Sequence, residues 1–352
     1  MIRKLLLVVL VGFATFACGL PAAVAQSQFD KVFPIKGQIT QGIITEMGRD
    51  KVKLDTSGLS RDFQVNEIRS ITYADEPSEL NSARNAAVRK SYSEALTDLK
   101  KLDGMPPTRD VIRQDVEFYK ALSLAKLAMT EGGDKAAASA AMLNFAKSAP
   151  QNFHFYEAAE VMGDLAVASG NFADAVRFYG PVATAPWGDY QMRANNAIGR
   201  ALAADKQFDP AIGKFDAVLA SDLATAEAVH QKQLATVGKS VCLAETGKAD
   251  QGIAALQEII AKNDPADAAL FARTYNALGR CYLKQTKPKE ALQAFLHTDL
   301  LFSAEPDAHA EALFYLSTLW NDMNKTERGL AARTTLQQRY AGSVWNNSNR
   351  KP

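Results

Sequence analysis

Two hydrophobic periods divide this chain. Between Gln28 and Ala74, apolar residues alternate with polar ones: Phe33/Ile35/Gly37/Ile39, then Val52/Leu54, then Phe63/Val65. Such alternation marks strands with one buried face. Met47–Asp50 and Thr56–Gly58 supply turns between them. Ile68 and Ile71, three apart, fit one tight turn before a last strand, Ile71–Tyr73. Four or five short strands in this space predict a small β-barrel over residues 26–76. At Asp75-Glu76-Pro77-Ser78 the period changes: Pro77 ends the strand and Ser78 is placed to cap a helix.

From there apolar residues recur three and four apart, the helical spacing. Arg273–Phe295 shows it best. Tyr275, Leu278, Gly279 and Tyr282 share one helical face, Thr286–Lys289 is a polar break containing Pro288, and Ala291, Leu292 and Phe295 begin a second face. A two-helix hairpin buries little alone and needs copies stacked beside it. The copies are Ala138/Met142/Phe145, Ala175/Tyr179/Val182, Ala211/Phe215/Val218 and Gly252/Leu256/Ile259, alongside Ala291/Phe295. Their small residues lie 36 to 41 positions apart. Glycines at 163, 199 and 279 sit where each first helix should pass closest to its partner, allowing two backbones to approach.

These residues together resemble the tetratricopeptide repeat, a hairpin of about 34 residues. The resemblance predicts a mainly α fold: a solenoid of about seven helical hairpins over residues 77–345, with a polar, frayed tail at 346–352. The preceding barrel is similar to SH3-like or Sm-like barrels, and its blandest role is a structural module docked on the first helices. In the family the first helices line a concave surface that takes an extended segment or helix of another protein. The implied function is a non-catalytic adaptor. Two alternatives stay open: a structural subunit that uses its ends and convex face, or a protein whose specificity lies in the barrel.

The first residues change the expected location. Arg3 and Lys4 precede an apolar run, Leu5–Ala17, and Ala23-Val24-Ala25 has the form of a cleavage site. Residues 1–25 therefore read as an export signal cleaved before Gln26. A lipid anchor on Cys18 is the alternative, against which Thr15 stands where a lipobox has leucine. The formal net charge is +1, and loss of Arg3 and Lys4 takes it to about −1. That balance carries no footprint for nucleic acid or an anionic membrane. The expected setting is the periplasm or the cell exterior.

Candidate chemistry adds little. The four histidines, at 154, 230, 297 and 309, lack a partner at metal-site spacing. No phosphate loop, G-x-S-x-G or H-E-x-x-H occurs, and no cofactor is implied. Glu157 and Glu160, one turn apart, read as a solvated face. Cys242 and Cys281 occupy the same position of successive first helices, whose axes should stand about 8–10 Å apart. A disulfide needs Cα atoms within about 7 Å, so both should be reduced and buried.

One surface pattern invites a ligand. Arg193, Asn196 and Arg200 fall at i, i+3 and i+7, as do Arg273, Asn276 and Arg280, with Lys284 a turn further. Ile198 and Leu278 should mark the buried face, leaving an Arg-Asn-Arg stripe facing the concavity. The unit between contributes an apolar face, Leu234, Val237 and Val241. The pattern is similar to the carboxylate clamp of the family, and implies an acidic, partly apolar peptide held by guanidinium forks. It departs from that clamp in setting its basic units either side of an apolar one. The competing expectation is internal pairing of these arginines with Glu157, Glu160 and Asp164 on one side and Glu311 and Asp322 on the other.

Overall fold

The computed structural model describes residues 28–105 and 109–347; the expected export signal and Cys18 lie outside them. Five strands, β1 (Asp30–Pro34), β2 (Thr40–Met47), β3 (Lys51–Thr56), β4 (Leu59–Gln64) and β5 (Ile68–Thr72), form a small antiparallel sheet in the order β4-β3-β2-β1-β5. A 3-10 turn, Val65–Glu67, sits between β4 and β5. The inward phase of β1 differs from the expected one. Asp30 and Val32 point inward, while Ile35, Gly37 and Ile39 lie exposed in the link to β2. Asp30 is the reason. Its carboxylate accepts the main-chain N–H groups of Ile44 and Ala74 and pairs with Arg109, so the strand is tied from its buried polar end.

Seven helical hairpins follow: α1 (Ser78–Val88) with α2 (Tyr92–Lys100), α3 (Asp110–Thr130) with α4 (Lys135–Ser148), α5 (Phe155–Ala168) with α6 (Phe172–Ala183), α7 (Gly188–Ala204) with α8 (Phe208–Leu219), α9 (Ala226–Glu245) with α10 (Ala249–Lys262), α11 (Ala268–Lys284) with α12 (Pro288–Leu301), and α13 (Pro306–Asp322) with α14 (Thr326–Arg339). The solenoid expected from the apolar period is therefore present. Ser78 is not the cap. Pro77 holds that position and the Ser78 hydroxyl turns to Glu79. A 3-10 turn, Val344–Asn346, follows α14, and its Trp345 ring packs on Phe314 and Tyr315.

The hairpin turns share one device. Lys90, Gly170, Lys206, Gly247, Thr286 and Asn324 all carry positive φ two residues past the first helix. The next residue then donates its N–H five positions back, as in Ser91 to Ala86 and Gln207 to Leu202. The α3–α4 turn keeps the positive φ at the same place, on Gly132, but among the described residues no five-back bond follows it.

The expected small and large residues of the second helices are buried: Ala138, Met142, Phe145, Ala175, Tyr179, Ala211, Phe215, Leu256, Ala291 and Phe295. The first-helix glycines do a different job from the one expected. A Cβ on Gly163, Gly199 or Gly279 would lie 2.3, 2.7 or 2.7 Å from the ring of Tyr179, Phe215 or Phe295. They make room for an aromatic ring, not for a second backbone. True backbone approach occurs on the second helices, where a Cβ on Gly252 would sit 2.7 Å from the Ser240 carbonyl oxygen.

The sheet is not a separate body. Val32, Val52, Leu54, Phe63 and Ile71 share one core with Leu80, Ile112, Phe118 and on to Ala194 of α7. Cys242 and Cys281 are free and buried, as their repeat positions implied, and burial pushes their thiols up to about 11 and about 12. No helix among the described residues is long and apolar enough to cross a membrane.

Candidate functional site

First helices touch in sequence, α1 to α3 to α5 and α7 to α9 to α11 to α13, while α5 and α7 meet through the Glu160–Arg193 pair and the Tyr156 and Tyr190 rings. Each also packs on its own partner and on the second helix before it. Three contacts bury a wide arc of each helix and leave a narrow strip toward the concavity.

That geometry settles where the Arg-Asn-Arg residues go. Asn196 and Asn276 are 1% exposed and do not face the concavity. Asn196 donates to the Gln231 carbonyl and side chain of α9, and Asn276 to the Ala308 carbonyl and Glu311 of α13. They are polar pins between neighbouring first helices. Val237 and Val241 likewise belong to the core of the α9–α11 region, with Leu234 packed against it, so no apolar floor opens there. The stripe was placed one notch too far round the helix because the buried arc is wider than a single packing face allows.

Most of the cations are internally matched. Arg193 pairs with Glu160 at 2.5 Å and lies over the Tyr190 ring. Arg280 stands between Glu245 at 3.8 Å and Glu311 at 3.5 Å, and Lys284 reaches Glu245 at 2.7 Å. Burial works against the Arg280 charge, yet Tyr315, Glu311 and Glu245 hold its guanidinium above the usual range. Here the competing expectation of internal pairs describes the structure. Glu160 and Glu311 are the predicted partners; Glu245, at the end of α9, was missed and would show only once helix lengths are known. Glu157 is engaged as well, 3.2 Å from His154 Nδ1.

Arg200 and Arg273 are the exceptions. Among the described residues neither has a carboxylate within ion-pair distance. Arg200 is exposed, Arg273 half-buried. Desolvation by the surrounding protein, and then the nearby Arg273, hold the Arg200 guanidinium below its ordinary range. Tyr179, Asp164 and Asp307 act on it from α6, α5 and α13. One side chain of α7 thus feels charges from hairpins on both sides of its own. Arg200 and Arg273 are thus two neighbouring guanidiniums without an ion-pair partner among the described residues.

No family model and no curated protein sequence matches the chain. Solved structures do. A tetratricopeptide repeat protein from Parabacteroides merdae superimposes with a TM-score of 0.51 at 13% identity, over 74% of this chain and 92% of that one. A Rap protein complexed with Competence and Sporulation Factor gives 0.51 at 13% identity, covering 77% of each chain. The apo quorum sensor NprR from B. thuringiensis gives 0.50 at 9%, over 74% of this chain and 85% of that one. At such identities the likeness is one of fold. The chain is a tetratricopeptide-like helical-repeat protein with an N-terminal five-stranded sheet.

Proposed function

We propose that this protein is an exported, non-catalytic adaptor that holds an acidic segment of another protein in the concavity of its solenoid. The observation that carries the proposal is the unpaired couple Arg200 and Arg273, set in a surface whose other candidate cations, Arg193, Arg280 and Lys284, already have carboxylates. The Rap protein that shares the fold was solved in complex with Competence and Sporulation Factor, which supports a ligand-holding use of such a stack. Export rests on the N-terminal residues, and N-terminal sequencing of the secreted chain tests it. A start at Gln26 is expected; a start at Cys18 overturns the cleavage reading.

A second reading gives specificity to the sheet. Its strand order and the 3-10 turn before β5 support an SH3-like barrel, and Ile35, Ile39, Ile43 and Leu59 are exposed on or beside it. Deleting the sheet is no test, because it shares its core with α1–α7.

One binding experiment separates the two readings, using an eight-residue glutamate-leucine peptide and extracts of the cell envelope as probes. Arg200→Glu/Arg273→Glu removes no internal ion pair, so it should fold normally. It is expected to weaken peptide binding at least tenfold at low salt, in line with the roughly 1.5–3 kcal/mol of a charged hydrogen bond, and to flatten its salt dependence. Unchanged affinity and salt dependence would sink the groove reading. Loss of partner capture in Ile39→Lys/Ile43→Lys, with capture intact in the arginine variant, would favour the sheet.

A further inference from the structure

The solenoid curves until its exit meets its own second hairpin. After α14 the chain turns back at Ala341-Gly342, and Gly342 donates its N–H to the Thr130 carbonyl at the end of α3, 3.3 Å away. The approach is backbone to backbone through two glycines. A Cβ on Gly342 would lie 2.4 Å from the Ala128 carbonyl oxygen, and one on Gly132 would lie 3.1 Å from the Ala341 Cβ. Gly132 carries the positive φ found at the same place in all seven hairpin turns.

This junction differs in kind from every other step of the stack. Successive hairpins meet through buried apolar side chains, such as Phe215 between α7 and α9 or Phe295 with Tyr315 between α12 and α13. The helices either side of the closing junction barely touch. Asp307, on α13, acts electrostatically on Arg200, on α7, three hairpins earlier. A contact of one main-chain hydrogen bond and a few small residues opens far more readily than a packed helical interface.

We propose that the Thr130–Gly132 and Ala341–Gly342 turns form a clasp that shuts the concavity into a ring and opens to admit ligand. With the clasp shut, a free chain end can thread to Arg200 and Arg273. A segment flanked on both sides by folded protein enters only when it opens. The ligand side of this proposal rests on the groove reading above; the closure itself does not.

The test uses the whole chain with two variants. Gly132→Cys/Ala341→Cys places two Cβ atoms 3.1 Å apart, so the turns need ease apart only slightly to reach the roughly 3.8 Å of a disulfide, and Cys242 and Cys281 are buried. Mild oxidation is expected to give an intramolecular crosslink in most molecules. Gly342→Val, whose side chain cannot fit against Ala128, is expected to hold the ring open and raise the radius of gyration in X-ray scattering above that of the oxidised form. The probes are a free octaglutamate and an octaglutamate placed between two folded domains. Oxidation should slow capture of the flanked segment at least tenfold and leave the free peptide within twofold; Gly342→Val should speed the flanked one. Absence of a crosslink together with identical scattering for all forms overturns the clasp. Equal capture of the flanked segment by oxidised and reduced protein overturns its role as a gate. If neither probe binds the reduced protein while the crosslink and the scattering change are present, the groove reading fails and the clasp stands.

Discussion

Replacing Asp115 by alanine is expected to destabilise the protein by about 3–5 kcal/mol, the cost of leaving buried charges without their counter-charge. Asp115 is fully buried on α3 and holds three elements together. Its carboxylate pairs with Arg84 of α1 at 3.0 Å and accepts the Tyr73 hydroxyl that follows β5 at 3.2 Å. It also lies 3.5 Å from His154 Nε2, which precedes α5. Arg84 in turn makes a two-pronged bond to Glu76, and the His154 ring stacks on Phe118 at 3.7 Å. Removing Asp115 leaves Arg84 with Glu76 alone and His154 with Glu157 alone in the joint between sheet and solenoid. Chemical denaturation of the single variant measures the loss; a change below about 1 kcal/mol, the size of an exposed pair, would show the joint to be solvated.

The same cluster fixes a pH dependence. Burial pushes the Asp115 carboxyl up, but His154 and Arg84 outweigh it and hold it below its ordinary value. Burial pushes His154 down, but Asp115 and Glu157 outweigh it and raise its pKa above 6.5. The Asp115 contribution is present above the unfolded carboxylate pKa of about 3.9 and is lost as pH falls through the depressed folded value. The His154 contribution is complete below about 6.5 and is lost as pH rises through the raised folded value. Stability should therefore be greatest between these limits. His154→Gln is expected to abolish the decline on the alkaline side; a decline of the same size in that variant would assign it to another group.

Phe215→Ala is expected to cost about 3–5 kcal/mol and Gly199→Ala about 1–3 kcal/mol, and the pair together clearly less than their sum. The Phe215 ring fills a slot between two first helices: a Cβ on Gly199 would meet it at 2.7 Å, and one on Gly238 at 2.4 Å. Gly199→Ala alone forces the ring against the next helix. With the ring gone, the new methyl group has space, and alanine brings the helix preference that glycine lacks, about 1 kcal/mol. A double-mutant cycle by urea denaturation reads the coupling directly. Additive losses would mean that the ring and the glycine do not share this slot.

Much of the repeat architecture was legible in the residues. Each of the seven hairpins carries its apolar period, and a helix pattern is local: it depends on neighbours three and four positions away. The Ala-x-x-x-aromatic spacing of the second helices located the core for the same reason. The buried ion cluster left a fainter trace. Asp115 stands in register with Ile112, Phe118 and Leu122, and Arg84 with Leu80 and Ala87, each a charge within an apolar stripe. A charge there predicts a buried partner without saying which.

The candidate site was legible only in part. Arg193, Arg200, Arg273 and Arg280 look alike along the chain, since each occupies the inner half of a first helix. Which of them meets a carboxylate depends on the turn between successive hairpins, a quantity set by packing across three helices and absent from any local pattern. The sequence by itself determined the two periods, the hairpins and their burying residues, because those follow from short-range spacing. Only the tertiary structure decided that Asn196 and Asn276 are buried pins, that Arg200 and Arg273 alone of the five candidate cations lack an ion-pair partner among the described residues, and that the stack closes on itself. Each of these depends on contacts between residues thirty to more than two hundred positions apart, which superhelical curvature brings together.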